Sequence, residues 1–190
     1  MRKRGLWLSL AVLALSALLA LTGFSTNADE RQMFRARLTG FEEVNTLSTI
    51  VTPPAVVSTL STTGNGRLRL RIDDRAREIE FELTYFDLEG TTTTAAHIHL
   101  GARGVAGGVV AFLCGGGGRP ACTNPSGSFS GTITAANIVG GAVAQGIAPG
   151  EFDEVVRAIR AGFTYVNVHT NRFLGGEIRG QIRTDNVNEP

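Results

Sequence analysis

The chain has 190 residues, with 18 Lys and Arg against 17 Asp and Glu, and a formal net charge of +1. Its only Lys and its only Trp both lie within the first ten residues. Because nucleic acids and anionic membrane surfaces are bound mainly by a concentrated positive field, this composition excludes both as expected partners.

The N-terminus has the three-part layout of a secretory signal peptide. Basic residues at 2–4 precede an uncharged apolar stretch at 6–21, which ends in small and polar residues. We predict cleavage after Ala28, which makes 1–28 a signal peptide and 29–190 a single exported domain, secreted or held in the periplasm or cell envelope. An uncleaved anchor is the alternative, although the stretch is shorter than the roughly 18 apolar residues that span a bilayer.

Cleavage would also change the charge of the protein. It removes three basic residues and no acidic one, leaving 15 Arg against 17 acidic residues, a net charge of −2 with no Lys. We therefore expect no nucleic-acid partner and no membrane span in the exported domain.

Strand patterns begin at 34–38, where apolar and polar residues alternate. The segment 47–61 is rich in Thr, Ser and Val and contains two prolines, which predicts an irregular edge segment or a long loop. Alternating runs at 67–72 and 79–85 predict a hairpin in which arginines of the first strand face glutamates of the second. An arginine stripe for an acidic ligand is the alternative interpretation of the first run.

The two cysteines, Cys114 and Cys122, flank a glycine-rich segment. In an oxidising compartment this spacing predicts a disulfide that closes a flexible loop. A redox-active pair would more typically be Cys-x-x-Cys, so a metal or redox role is the weaker interpretation.

The rest of the chain predicts more strands and one helix. In 152–159 the apolar residues recur at i, i+3, i+4 and i+7, between Pro149-Gly150 and Gly162, which predicts a short amphipathic helix that packs across an open end of the β structure. Short strands with frequent turns favour an all-β, Greek-key or immunoglobulin-like sandwich with this one helix. The further strands are predicted at 96–100, 109–113, 126–133, 163–169 and 177–183.

The chain has three histidines, and all three are predicted on polar faces of strands. His97 and His99 are two residues apart, so they point to the same side of their strand, opposite the apolar residues. His169 shares the polar face of its own strand with Tyr165 and Asn167. If the two strands are neighbours, the imidazoles converge into a ligand set suited to copper or zinc. The alternative is that they hydrogen-bond nearby loops and hold them in place.

Other catalytic patterns are absent from the sequence. At 127–131 the position that a nucleophile elbow reserves for Ser is Phe129, and 101–107 lacks the spacing of a phosphate-binding loop. The adjacent acidic pairs Glu42-Glu43 and Asp73-Asp74 are interpreted as turns or solvated edges. We therefore predict that the protein is not an enzyme.

Four segments resemble the CHRD domain, the chordin-type domain: 34–44, 96–101, 165–170 and 175–182. Together they span about 33 to 183. The resemblance implies a secreted or cell-surface protein with a β-sandwich fold. Growth-factor antagonism is not carried over, because the chain lacks the cysteine-rich modules that accompany it in chordin-like proteins.

The matching positions define a candidate site of His97, His99 and His169, supported by Glu177, Arg179 and Asn167. An ion pair between Glu177 and Arg179 that braces the histidine loops is the structural alternative. The His-x-His also gives a faint similarity to copper/zinc superoxide dismutase, but the remaining histidines of that enzyme are lacking, so dismutase activity is not expected.

Two functions follow. The first is a non-enzymatic module that binds an extracellular or envelope protein, or another ligand there, through its loop-rich end. The second is a copper- or zinc-binding domain with a storage, delivery or redox role. The sequence names neither the ligand nor the metal.

Overall fold

A computed structural model describes residues 32–47 and 55–185, so the predicted signal peptide lies outside the described residues. Within those two ranges, no helix is long and apolar enough to cross a membrane. The described residues contain one α-helix, α1, Phe152–Arg160. The strands are β1 Gln32–Thr39, β2 Val44–Leu47, β3 Ala55–Ser58, β4 Asn65–Asp73, β5 Glu78–Phe86, β6 Thr93–Leu100, β7 Val109–Cys114, β8 Gly127–Ile133, β9 Thr164–Thr170, β10 Ile178–Gln181 and β11 Arg183–Thr184.

Nine of these strands form one antiparallel sheet in the order β7-β6-β9-β10-β1-β4-β5-β8, with β11 also beside β1. The end strands β7 and β8 approach each other, so the sheet curls until it nearly closes. The predicted β-rich fold with one short helix is therefore confirmed. The two-sheet Greek-key arrangement is not confirmed, because period-two alternation predicts which side of a strand is buried but not whether the sheet divides or curls.

The predicted hairpin is β4–β5, and its register places Arg69 opposite Glu82 and Arg71 opposite Glu80. The guanidinium of Arg71 donates to both carboxylate oxygens of Glu80. Arginines therefore face glutamates along part of this hairpin, as the alternation indicates.

The segment 47–61, which we predicted as an irregular edge segment or a long loop, contains the strand β3, which forms a second hairpin with β2. β2 pairs with β3 in a separate two-stranded sheet, and the intervening residues 48–54, including both prolines, lie outside the described part of the chain. The Val and Thr content of this segment favours strands, and the prolines do not prevent pairing because they lie between the two strands.

The core lies on the concave side of the curled sheet, where α1 covers it. All four apolar residues of the predicted helical stripe are buried: Phe152, Val155, Val156 and Ile159. Burying each of these side chains contributes about 1.5–3 kcal/mol relative to leaving it exposed. The acidic first turn and basic last turn of α1 suit the helix dipole.

The disulfide is confirmed. Cys114, the last residue of β7, is bonded to Cys122, and the bond closes the glycine-rich loop.

Candidate metal centre

The candidate site lies on the convex face of the sheet, opposite the core. β9 lies between β6 and β10, so the outward-facing residues of all three strands become neighbours. His97 of β6 and Arg179 of β10 are both aligned with Asn167 of β9, and His99 is aligned with Tyr165. The residues that we predicted to support the histidines at these positions, Asn167 and Arg179, therefore lie beside them.

The three histidines come together at one place. One ring nitrogen from each of His97, His99 and His169 lies within 4.8 Å of the others. Their ring centroids are separated by 4.9 Å for His97 and His169, 5.4 Å for His97 and His99, and 6.2 Å for His99 and His169. Strand pairing thus produces the convergence that the sequence only made conditional on the two strands being neighbours.

Backbone carbonyls of two connecting loops orient two of the rings. Nδ1 of His99 donates to the carbonyl oxygen of Gly107, and Nδ1 of His169 donates to that of Leu174, both at 2.9 Å. A carbonyl only accepts hydrogen bonds, so Nδ1 carries the proton in each neutral ring and Nε2 retains its lone pair. Metal-binding histidines commonly have this outer hydrogen bond to a carbonyl.

Two buried imidazole nitrogens at the site make no hydrogen bond to another described residue. Nδ1 of His97 and Nε2 of His99 are buried without a hydrogen-bond partner among the described residues. Nε2 of His169, by contrast, has a polar neighbour, because Oδ1 of Asn167 lies 3.0 Å from it. An unsatisfied buried polar atom costs about 1–3 kcal/mol, so a bound cation that accepted these lone pairs would remove that cost.

The electrostatic surroundings keep the imidazoles neutral. Burial, followed by the proximity of His169 and His99, lowers the pKa of His97 to about 3. Burial also lowers the pKa of His99 to about 4, against the opposing hydrogen bond to Gly107, and it lowers the pKa of His169. Neutral imidazoles at neutral pH are the form that binds a metal.

The distances are close to those of a metal centre. Zinc–nitrogen bonds of about 2.0–2.1 Å in a tetrahedron place two nitrogen ligands about 3.3 Å apart. The histidine nitrogens, within 4.8 Å of one another, need side-chain shifts of only an ångström or two to reach that geometry. Copper and zinc both suit an all-imidazole set.

A stack of aromatic and cationic groups supports His99. The ring of Tyr165 is parallel to that of His99, with centroids 4.7 Å apart, and the guanidinium of Arg179 lies 3.4 Å from the centre of the Tyr165 ring. Arg179 also donates to the carbonyl oxygens of Ala102 and Val105. It therefore fastens the loop that supplies the Gly107 carbonyl, and we place it in a positioning role.

Glu177 has a different set of partners. Its carboxylate is fully buried and accepts hydrogen bonds from the hydroxyls of Thr62 and Thr170 and from the backbone N–H groups of Glu89 and Gly90. Within the described residues it forms no ion pair with Arg179. It ties loops together beside His169 rather than lining the histidine cluster.

The sequence missed one residue of this site, Glu43. We interpreted Glu42-Glu43 as a turn or a solvated edge, but the side chain of Glu43 is 1 % exposed. Burial raises its pKa to about 7, although the Val44 N–H, Arg179 and Asn167 all favour the charged form. The only early signal was its place in a segment that resembles the CHRD domain, because the short 3-10 turn Gly40–Glu42 that carries it inward has no distinctive pattern.

Comparison with known proteins gives one positive result. The family model for the CHRD domain matches residues 34–182. The search of curated proteins and the search of solved structures give no match.

Proposed function

This chain belongs to the CHRD domain family, and on that premise we propose that it is an exported, non-enzymatic binding domain that holds copper or zinc through His97, His99 and His169. The observation that carries the proposal is the convergence of one ring nitrogen from each histidine within 4.8 Å. The unpartnered nitrogens and the lowered pKa values support it, because they leave lone pairs ready for a cation.

The exported location is part of the proposal. It is supported by the signal-like pattern at 1–28 and by the Cys114–Cys122 disulfide, because disulfides persist in oxidising compartments. At the cell envelope or outside the cell, such a site would store, deliver or exchange a metal, and copper would add a redox role.

A metal titration tests this proposal. The purified, oxidised protein is titrated with Zn(II) and with Cu(II), beside the double variant His97→Ala, His99→Ala. We expect one-to-one binding that the double variant weakens by at least about 100-fold, since losing outer-sphere partners alone costs 10–100-fold. A double variant that binds as tightly as the native protein would contradict the proposal.

Gln145→Ala is the matched control. Gln145 accepts from the Gly108 N–H and donates to the Leu100 carbonyl, so it holds the same loop without offering a ligand. Metal binding that survives in this variant and fails in the histidine variant locates the metal at the imidazoles rather than in the general order of the loop.

A second function, recognition of an envelope protein through the loop-rich end, has its own observation. Phe41, Val105 and Leu174 are 69 %, 53 % and 77 % exposed, and each lies on a different connection around the histidines. Exposed apolar side chains that gather at one end of a domain are typical of interaction sites.

Site-specific photocrosslinking on intact cells tests this second function. A crosslinker placed at Leu174 should capture a discrete partner, whereas one at Phe86, which is 42 % exposed and precedes a different loop, should not. Equal labelling from both positions would argue against recognition through the loop-rich end.

A further inference from the structure

The convex side of the other half of the sheet carries a group of arginines that the metal proposal does not use. β11 and β4 flank β1 on its two sides, and all three strands place arginines on their outward face. We define the arginine face as these five residues: Arg35, Arg37, Arg67, Arg69 and Arg183.

The strand register aligns arginines of β1 with arginines of both neighbouring strands. Arg35 is aligned with Arg69 on one side and with Arg183 on the other, and Arg37 is aligned with Arg67. Directly opposite residues on neighbouring strands have Cβ atoms about 4.5–5.5 Å apart, and like charges at that separation destabilise the sheet. The hairpin pattern alone pairs arginines with glutamates, so this juxtaposition follows only from the place of β1 beside β4.

The neighbouring acidic groups neutralise little of this charge. Asp185 pairs with Arg35 at 3.3 Å, and Glu80 pairs with Arg71. Glu82 is aligned with Arg69 but forms no ion pair with it in the described part of the chain.

The remaining arginines keep their charge available. Across residues 32–47 and 55–185, no carboxylate forms an ion pair with Arg37, Arg67, Arg69 or Arg183. Arg67 donates instead to the hydroxyl of Thr84 at 3.1 Å. The net charge of +1 for the whole chain gives no indication of this patch.

Two shallow grooves cross the arginine face. One is lined by four of the five residues of the arginine face, Arg35, Arg37, Arg67 and Arg69. The other runs from Arg67 and Arg69 toward β8 and is lined by Glu82 and by the hydroxyl-bearing residues Thr84, Ser128 and Ser130. The two grooves therefore place arginine guanidinium groups beside side-chain hydroxyls that can form hydrogen bonds.

We propose that the arginine face binds an acidic polysaccharide that bears sulfate or carboxylate groups. Arginine forks bind such anions in a bidentate manner, and the adjacent hydroxyls suit the hydroxyls of sugar rings. On a sheet, positions on neighbouring strands and positions two apart on one strand are separated by about 5 and 7 Å, which is close to the length of one sugar residue. This charge complementarity points to a glycan chain lying across the strands.

A nucleic acid fits the same surface less well. Single-stranded binding usually adds aromatic side chains on which bases stack. In the two grooves the only aromatic lining residue is Phe129, which is partly buried against the core. The proposal is independent of the metal site, because no histidine takes part.

The test uses the whole exported protein with heparin as a sulfated probe and polygalacturonate as a carboxylated one. We expect binding that weakens steeply as salt rises. The double variant Arg37→Gln, Arg69→Gln should bind about tenfold more weakly than the native protein. The control Arg157→Gln, Arg172→Gln removes the same charge from exposed side chains outside the arginine face and should bind as the native protein does.

A variant that binds more tightly separates the proposal from folding defects, because a misfolded protein would lose affinity rather than gain it. Glu82→Gln removes the acidic group beside Arg69 and should strengthen binding about two- to threefold. The proposal is overturned if the control loses as much affinity as the arginine variant, if Glu82→Gln has no effect, or if single-stranded DNA of equal charge binds more tightly than both glycans at the same salt concentration.

Discussion

The half of the sheet that carries the candidate metal site (β6, β9 and β10) and the half that carries the arginine face (β1, β4 and β11) share one sequence pattern, but their polar sides differ in exposure. On β9 and β10, the outward-facing Asn167 and Arg179 are 2 % and 1 % exposed. On β1 and β4, the outward-facing Arg35, Arg37 and Arg69 are exposed. Alternation identifies the outward side in both halves, but it does not tell whether that side meets water.

The position of the connecting loops explains the difference. Loops at 101–108 and 171–177 fold back over the histidines and supply carbonyls to them. The turn between β4 and β5 spans only 74–77 and cannot reach the surface of its own strands. A polar residue under a long loop must find partners inside the protein, whereas one beside a tight turn stays hydrated.

The largest expected effect on the free energy of unfolding comes from adding a side chain to loop 171–177 where it packs against the outward face of β9. Gly176 has a φ of +129°, and an added Cβ would lie 2.6 Å from Cδ of Glu43 and 2.9 Å from Nδ2 of Asn167. Gly176→Ala should lower the free energy of unfolding by about 3–4 kcal/mol, combining backbone strain with overpacking. Urea denaturation measures it.

Gly104→Ala is the control for this prediction. Gly104 also has a positive φ, +75°, but an added Cβ there meets nothing within 4 Å. It should cost about 1 kcal/mol from backbone strain alone. Equal decreases in the free energy of unfolding of the two variants would mean that the space beside Glu43 and Asn167 tolerates added volume.

The next effect compares two arginines, one from each half. Arg179→Met removes a buried cation, its stacking on Tyr165 and the donors to the Ala102 and Val105 carbonyls, so we expect a loss of about 3 kcal/mol. Arg69→Met removes a solvated side chain opposite Arg35 and should change the free energy of unfolding by less than about 0.5 kcal/mol. Similar losses in both would mean that the two polar faces are equally buried.

The smallest expected effect is a pH dependence of the free energy of unfolding that comes from the half of the sheet with the buried histidines. Well above pH 6.5 the histidines are neutral in both the folded and the unfolded chain. As the pH falls, the unfolded chain gains protons first, because the folded pKa values of His97 and His99 are about 3 and 4. His97 and His99 should together lower the free energy of unfolding of the metal-free protein by about 5 kcal/mol between pH 7 and pH 4.5, and the opposing change at Glu43 should leave a net fall of about 2 kcal/mol.

Glu43 acts in the opposite direction and must be separated from the histidines. Its raised pKa of about 7 means that the folded chain binds this proton more tightly, so its contribution weakens as the pH rises from 4.5 to 7. The native protein is therefore compared with His97→Gln, His99→Gln, which retains Glu43 and Arg179. Parallel pH profiles for the two proteins would show that the histidines are not the source of the acid sensitivity.

Most of the strands and the α-helix of the described part of the chain could be predicted from the sequence pattern. The runs at 67–72 and 79–85 predicted the β4–β5 hairpin with its arginines opposite glutamates, and the apolar spacing at 152–159 predicted α1. Cys114 and Cys122 predicted the disulfide. These features depend on local periodicity or short spacing, which a sequence displays directly.

Other features were not predictable because they depend on contacts distant in the chain. The β2–β3 hairpin was hidden by the prolines between its strands, and the burial of Glu43 depends on Gly176 approaching from the far end of the chain. The ion pair suggested for Glu177 and Arg179 did not form, because each has closer partners on loops that precede β10 by about 70 residues or more.

By itself, the sequence determined which side of each strand is apolar, which segments turn, and that three histidines lie on polar strand faces. Only the tertiary structure decided that β9 lies beside β6, so that His169 meets His97 and His99, and that β1 lies beside β4, so that arginines oppose one another. The reason is physical: alternation is encoded residue by residue, whereas strand order is set by how the whole chain buries its apolar face and by where its loops fold back.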